Sequence, residues 1–459
     1  MESVNHYGRN DGARLRQRKS PATTRLARAT VAALILIAGR EAGATVLLSE
    51  TFSQPTLSDP TSWVLAKGSS SQPPCMSAAN SAASAQTLAI GSIGGCQSPA
   101  LDPAGSGALR LTSASLAQSS MLLYNTALPT SGGLDISFSL AQYQGGGADG
   151  ISFFVKDGAN TDTSPGIAGG ALGYAAARSG STLLGTGIHG GLFGIGFDKW
   201  GNFSATGSEA PGCAASAPGQ AGNTVAVRGP DTSSAKNGTA GYCYLGGVGG
   251  VSYAGASRSA AARLVRIVVD PSTVPARKIK VYVGATLPAT PTLSVDVPAE
   301  FVNASSFKFG FASSTGGVTD IHEVWGASVA TVIDVPQVMV TANSISSAPG
   351  NSPAGIGYQV SGFVSPDTFA AAPTCAAYTD ATYLTPVSAV TPQGSYVTHC
   401  AGGVATGYAI AYVDGIYTVT AAASASATTS VPTLSEWGLM ILSTLMAVLA
   451  VALMRRRAR

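Results

Sequence analysis

Between residues 45 and 330 short runs of alternating apolar and polar residues are separated by clusters of Gly, Ser, Pro and Asp, and no long stretch repeats with the 3.6-residue period of a helix. The clearest runs are Leu134-Asp135-Ile136-Ser137-Phe138-Ser139-Leu140, Arg266-Ile267-Val268-Val269-Asp270 and Lys278-Ile279-Lys280-Val281-Tyr282-Val283. In each, apolar and polar side chains trade places, as a strand with one buried face requires. Two stacked antiparallel sheets are the economical way to bury such faces, so the region is predicted to be an all-β sandwich. A second β-rich stretch runs from about 332 to 420, opening with Val335-Pro336-Gln337-Val338-Met339-Val340 and closing with one strand from Tyr412 to Thr420. It predicts a separate small domain over 331–420. A linker of Ala, Ser and Thr, 421–430, follows, and such composition is flexible.

The two ends read differently from the middle. A basic stretch from Arg9 to Arg28 precedes the apolar run from Ala29 to Gly39 and the small triplet Ala42-Gly43-Ala44. That order predicts a secretory signal over 1–44, cleaved after Ala44. At the other end, the uncharged apolar segment from Trp437 to Met454 is long enough to span a bilayer at ~1.5 Å per residue. Arg455, Arg456, Arg457 and Arg459 follow it, which predicts a cytoplasmic tail with all that precedes the helix outside. Just upstream, Val431-Pro432-Thr433-Leu434-Ser435-Glu436-Trp437-Gly438 resembles the IPTL-type C-terminal sorting signal of Gram-negative bacteria, with Val in place of the usual Ile. The resemblance, over 431–459, implies an exosortase-like processing protease as partner. It also implies an inner-membrane anchor with a periplasmic ectodomain before processing, then a place at the cell surface or outside the cell.

Charged residues make up only 11% of the chain, yet apolar residues reach 45%, so the profile is that of a folded protein. Of the 26 basic residues, eight precede residue 45 and four close the chain. The interior keeps 14 against 20 acidic residues, a net of about −6, which argues against nucleic-acid binding. Six cysteines in an exported chain make disulfides the default. Sequence neighbours suggest Cys75 with Cys96, Cys213 with Cys243 and Cys375 with Cys400, among fifteen connectivities that six cysteines allow. No CxxC pair or His-Cys cluster points to zinc or redox chemistry.

Four pieces, in order, carry a family resemblance. Gly147-Ala148-Asp149-Gly150-Ile151-Ser152-Phe153-Phe154 places one Asp between a glycine-rich loop and an apolar strand. Gly166-Ile167-Ala168-Gly169-Gly170-Ala171-Leu172-Gly173-Tyr174 is a glycine-rich loop, Phe193-Gly194-Ile195-Gly196-Phe197-Asp198-Lys199-Trp200-Gly201-Asn202 an apolar run ending in Asp, aromatic and Asn, and residues 307–317 a strand and Ser/Gly loop. With weaker matches such as Gly107-Ala108-Leu109-Arg110-Leu111-Thr112, this resembles the L-type (legume-like, concanavalin A-like) lectins over nearly all of 45–330. The resemblance implies a lectin-like antiparallel sandwich, or jelly roll, that binds a glycan or polysaccharide. It assigns Asp149, often preceded by a cis peptide bond, to accept from sugar hydroxyls, and the backbone of Gly169 and Gly170 to approach the same sugar. Trp200 would stack on the sugar and Asn202 would reach a hydroxyl.

For metals the resemblance assigns Asp198, the Trp200 carbonyl and Asn202 as oxygen ligands to calcium, a hard cation. The sequence departs from the pattern where Gly196 replaces a Glu and Gly207 an acid, and no histidine follows in the expected window. No transition metal is expected. The calcium site is weakened, completed by Glu209 or another nearby oxygen, or lost.

An enzyme on a related sandwich, such as a glycoside hydrolase, needs two carboxyl groups about 5–10 Å apart. The only glutamates between 45 and 330 are Glu50, Glu209, Glu300 and Glu323, and no GxSxG motif appears. His322 and Glu323 are strand neighbours that point to opposite faces, which argues against a working dyad. The reading is a non-enzymatic carbohydrate-binding protein. The alternative is a structural surface or matrix protein that has lost sugar binding, in keeping with the altered metal motif. The stretch over 331–420 is similar to the small MBG-type β modules of bacterial surface proteins, which act as spacers.

Overall fold

A computed structural model of the chain describes residues 44–68, 71–211, 213–214, 217–271, 277–333, 335–364, 366–421 and 436–457. The expected signal segment up to residue 43, linker residues 422–430 and motif residues 431–435 lie outside them.

The expected all-β sandwich is present. Among the described residues, seven strands form one sheet in the order Tyr244–Val248, Thr224–Arg228, Gly191–Asp198, Gly150–Asp157, Ser306–Ser314, Ser119–Pro129 and Trp63–Lys67, every neighbour antiparallel. A ten-stranded sheet lies against it, with Leu134–Tyr143 between Arg263–Val269 and Ile321–Ala330. Alternate residues fill the space between the sheets: Ile136, Phe138 and Leu140 from one meet Ile151, Phe153, Val155, Ile195, Phe309 and Phe311 from the other. Phe138 meets Phe311 edge-on with centroids 5.1 Å apart, a geometry the ring quadrupoles favour.

The other face of the seven-stranded sheet is covered rather than wet. Phe154, Ala226 and Ala312 on the sheet pack with Leu172, Tyr174, Phe203 and Tyr242 from the loops in a second apolar cluster. Two glycines make the cover fit. A Cβ on Gly194 would sit 2.2 Å from the Tyr174 ring, and one on Gly196 would sit 2.4 Å from the Phe203 ring. The glycine-rich loop turns through a short 3-10 stretch, Gly169–Ala171, with Leu172 at φ +52°. Packing decides this, because Leu172 and Tyr174 are buried in the second cluster and the Tyr174 hydroxyl donates to the Gly229 carbonyl at 2.8 Å.

The small module is built from a three-stranded and a four-stranded sheet. The single closing strand expected over 412–420 is two strands. Ala409–Val413 runs parallel to Gln337–Ala342, and Gly415–Val419 lies beside Gly394–Ala401 and Ile345–Ser347 in the other sheet. The break falls at Asp414, whose carboxylate meets His399 Nδ1 at 2.8 Å and accepts from the Tyr383 hydroxyl at 2.7 Å. All three neighbour disulfides form, Cys75 with Cys96, Cys213 with Cys243 and Cys375 with Cys400. The last ties the paired strands Thr374–Tyr378 and Gly394–Ala401 of a module whose apolar core is small. Replacing both Cys375 and Cys400 by alanine is expected to destabilise the module by about 3 kcal/mol. Chemical denaturation followed by module tyrosine signals checks this; an unchanged midpoint would contradict it.

The helix Glu436–Arg457 has 22 residues, exposes its apolar side chains and is long and apolar enough to cross a membrane, at roughly 33 Å against a ~30 Å hydrocarbon core.

Candidate functional site

Register brings the separated sequence pieces to one end of the seven-stranded sheet. Asp198, the last residue of its strand, pairs with Gly150, the first of the next. Asp149 is therefore beside the turn that follows Asp198, and its backbone carbonyl accepts from the amides of Lys199 and Trp200 at 3.1 and 3.2 Å. The Ala148–Asp149 peptide is cis, and the Asp149 amide donates to the Ser314 carbonyl at 3.1 Å. The Ser314 hydroxyl in turn donates to the Gly169 carbonyl at 2.6 Å. Gly170 lies so close to Asn202 that a Cβ would meet the Asn202 Cβ at 2.1 Å, while a Cβ on Gly169, at φ +80°, would meet nothing within 4 Å. Asp149, Gly169, Gly170, Trp200, Asn202 and the 314–317 loop are thus joined by direct contacts. Neighbouring residues in sequence do not create this grouping; the strand pairing does.

Two carboxylates in this region behave differently. Asp149 is 4% exposed, and its Oδ2 is buried with no hydrogen-bond partner among the described residues. A Cβ on Gly316 would come 3.1 Å from that oxygen, a tight contact that glycine avoids. Burial raises the Asp149 carboxyl to about 6. Asp198 is fully buried and engaged: Oδ1 accepts from the Gly201 amide and Oδ2 from the Phe203 amide, both at 2.6 Å. Burial raises it to about 7 against the lowering effect of those amides. Trp200 remains 39% exposed at the rim.

Behind the turn, Lys199 Nζ pairs with Asp320 at 2.6 Å. His322 is buried there with Nδ1 at 2.7 Å from the hydroxyls of both Thr112 and Ser313. Its neighbour Glu323 is on the opposite face, as strand geometry requires, bound by Arg110, Arg258 and Tyr143. A cavity of about 460 Å³ near Arg258 and Trp325 lies on that outward face, away from Asp149.

The calcium donors implied by the sequence do not make a cation cage here. Both Asp198 oxygens hold loop amides, the Trp200 carbonyl accepts from Gln220 Nε2 at 3.3 Å, and Glu209 faces Arg228 at 3.6 Å. Among the described residues no group of three or more His, Cys, Asp or Glu could hold a metal ion. Calcium takes six to eight oxygens; the three implied donors fall short of that number, and two of them, the Asp198 carboxylate and the Trp200 carbonyl, already accept from donors of the chain. Arg228 and Phe203 belong to no motif of the sequence, yet both pack against the turn. The available signal was an Arg closing the otherwise uncharged strand Thr-Val-Ala-Val-Arg, a placement that asks for a buried partner.

Residues 338–418 match the MBG domain (YGX type). The MBG domain is the two-sheet module that Cys375 and Cys400 cross-link. Residues 429–457 match the IPTL-CTERM motif, which includes the apolar helix. No curated protein matches the chain. Among solved structures, the VIP36 exoplasmic/lumenal domain in its Ca2+/Man3GlcNAc-bound form is similar at 11% identity, covering 49% of this chain and 80% of that one, with a TM-score of 0.32. Peanut lectin with a nine-residue peptide is similar at 20% identity over 49% and 86%, TM-score 0.32. A Ulex europaeus lectin II complexed with galactose is similar at 13% identity over 62% and 98%, TM-score 0.34.

Proposed function

We propose that the sandwich binds a carbohydrate at Asp149, Gly169, Gly170, Trp200 and Asn202, and that the chain is a binding protein, not an enzyme. One observation carries the reading. The buried Asp149 carboxylate keeps an oxygen without a partner among the described residues, the Gly316 backbone comes close to that oxygen, and Trp200, whose amide is bonded to the Asp149 carbonyl, leaves its indole exposed. An unpaired buried acceptor is costly unless a donor arrives, and paired sugar hydroxyls are such donors. A pyranose also has an apolar face that stacks on an indole, which accounts for Trp200 remaining exposed. Against catalysis, Asp198 holds two amides, Glu50 accepts from Phe52 and Ser58, Glu209 from Tyr244 and Ala217, and Glu323 from two arginines and a tyrosine. None of these is left free to exchange a proton with a substrate, and Asp149 by itself is one carboxyl where glycoside hydrolysis needs two.

In this reading residues 1–44 export the chain, 45–330 carry the site and 331–420 space it from the membrane. Residues 431–459 anchor it for an exosortase-like protease, with a surface or matrix location as the outcome. The test is a glycan array probed with the full chain in detergent micelles. Selective binding is expected, and Trp200→Ala should weaken it about tenfold through lost stacking. A folded chain that binds no glycan would favour a structural role for the sandwich.

A further inference from the structure

The turn that carries Trp200 and Asn202 is held from two sides by buried charges. Asp198 takes its amides, those of Gly201 and Phe203. Arg228 takes its carbonyls: Nε donates to Phe203 O at 2.7 Å and Nη2 to Ala205 O at 2.5 Å, while Nη1 reaches Tyr242 O at 2.8 Å. Arg228 is fully buried, and its guanidinium stands 5.4 Å from the Phe203 ring centroid, with Glu209 Oε1 3.6 Å from Nη1. The Phe203 ring itself fills the space above Gly196, where the metal-binding pattern calls for a glutamate. A glutamate there would collide with the ring, so the arrangement replaces the metal ligand and the metal together.

We infer that Arg228 is a positioning residue that stands in for metal ions, organising the 199–205 turn so that the site assembles without calcium or a transition metal. A guanidinium is a permanent cation with five donors in a fixed plane, and it draws several carbonyl dipoles to one point, as a divalent ion does. Stacking on Phe203 and the nearby Glu209 carboxylate compensate its burial. The charge is part of the chain, so the turn keeps its shape at any external calcium concentration. The consequence for sugar binding rests on the proposed carbohydrate site; the organisation of the turn does not.

The test uses the full chain in detergent micelles and two readouts that need no sugar. Calorimetric titration of the EDTA-treated protein with Ca2+, then with Mn2+, is expected to show no saturable binding. Hydrogen exchange of the 199–205 amides is expected to be the same in EDTA and in excess Ca2+. Arg228→Ala should speed that exchange about tenfold or more while the strand Gly150–Asp157 keeps its protection, and Arg228→Lys should recover only part, since an ammonium lacks the planar fork. Stoichiometric Ca2+ or Mn2+ binding that slows exchange in the turn would overturn the inference, and so would wild-type exchange in Arg228→Ala. Should Arg228→Ala fail to fold, Arg228→Lys takes its place: faster exchange of the 199–205 amides than in the wild type is expected, and wild-type exchange would overturn the inference. Glycan binding that needs calcium would sink this inference and leave the carbohydrate reading standing; an intact metal-free turn that binds no glycan would do the reverse.

Discussion

Asp149→Ala is expected to reduce glycan binding by the full chain about 10- to 100-fold while leaving its fold intact, as judged by near-UV circular dichroism. A charge-assisted hydrogen bond contributes about 1.5–3 kcal/mol, and the sugar hydroxyls that lose it are left unpaired against a buried surface. The backbone of residue 149 still accepts from Lys199 and Trp200 and donates to Ser314, so the turn keeps its anchor when only the carboxylate is removed. Asp149→Asn keeps the size but offers an NH2 where an acceptor is required, and a similar loss is expected. Binding constants from surface plasmon resonance check both variants. Alanine-variant affinity within twofold of the wild type would remove Asp149 from the site.

The second large effect concerns His322. Burial, helped by the charge of Lys199, lowers the imidazole from 6.5 to about 3, so the folded protein holds it neutral where the unfolded chain protonates it. The stability that the neutral ring contributes is complete above about pH 6.5 and falls by about 1.4 kcal/mol per unit as pH drops toward 3. Asp149 and Asp198 act in the opposite sense. Their carboxyls are raised to about 6 and about 7, so the folded state takes up protons before the unfolded one, and the total pH dependence hides the histidine. The expected result is therefore a difference. His322→Gln should lose a fixed amount at neutral pH, from altered bonds to Thr112 and Ser313, and then gain on the wild type by about 1.4 kcal/mol per pH unit below 6.5. Urea unfolding of both proteins at pH 7, 6, 5 and 4 measures it. Parallel curves across that range would mean that His322 titrates normally in the folded protein.

The sandwich, the apolar helix and the three disulfides were legible in the sequence because each rests on local information. Alternation of apolar and polar residues over 134–140 or 278–283 follows directly from a strand with one buried face, and register does not alter which residues alternate. Each of the three disulfides joins cysteines adjacent in the cysteine order, at separations of 21, 30 and 25 residues. The candidate site residues were also visible one by one, through the motifs around Asp149 and Asp198. Their grouping was not, since it depends on Asp198 standing opposite Gly150 across two strands. Other features were decided only by the tertiary structure. The pairing of Gly194 with Arg228 sets the guanidinium over Phe203, Gly196 makes room for that ring, and the closing strand of the MBG domain breaks at Asp414 to serve two sheets. Each of these follows from strand register and loop closure, which set which side chains meet across distant segments, and no local pattern of polarity encodes such a meeting.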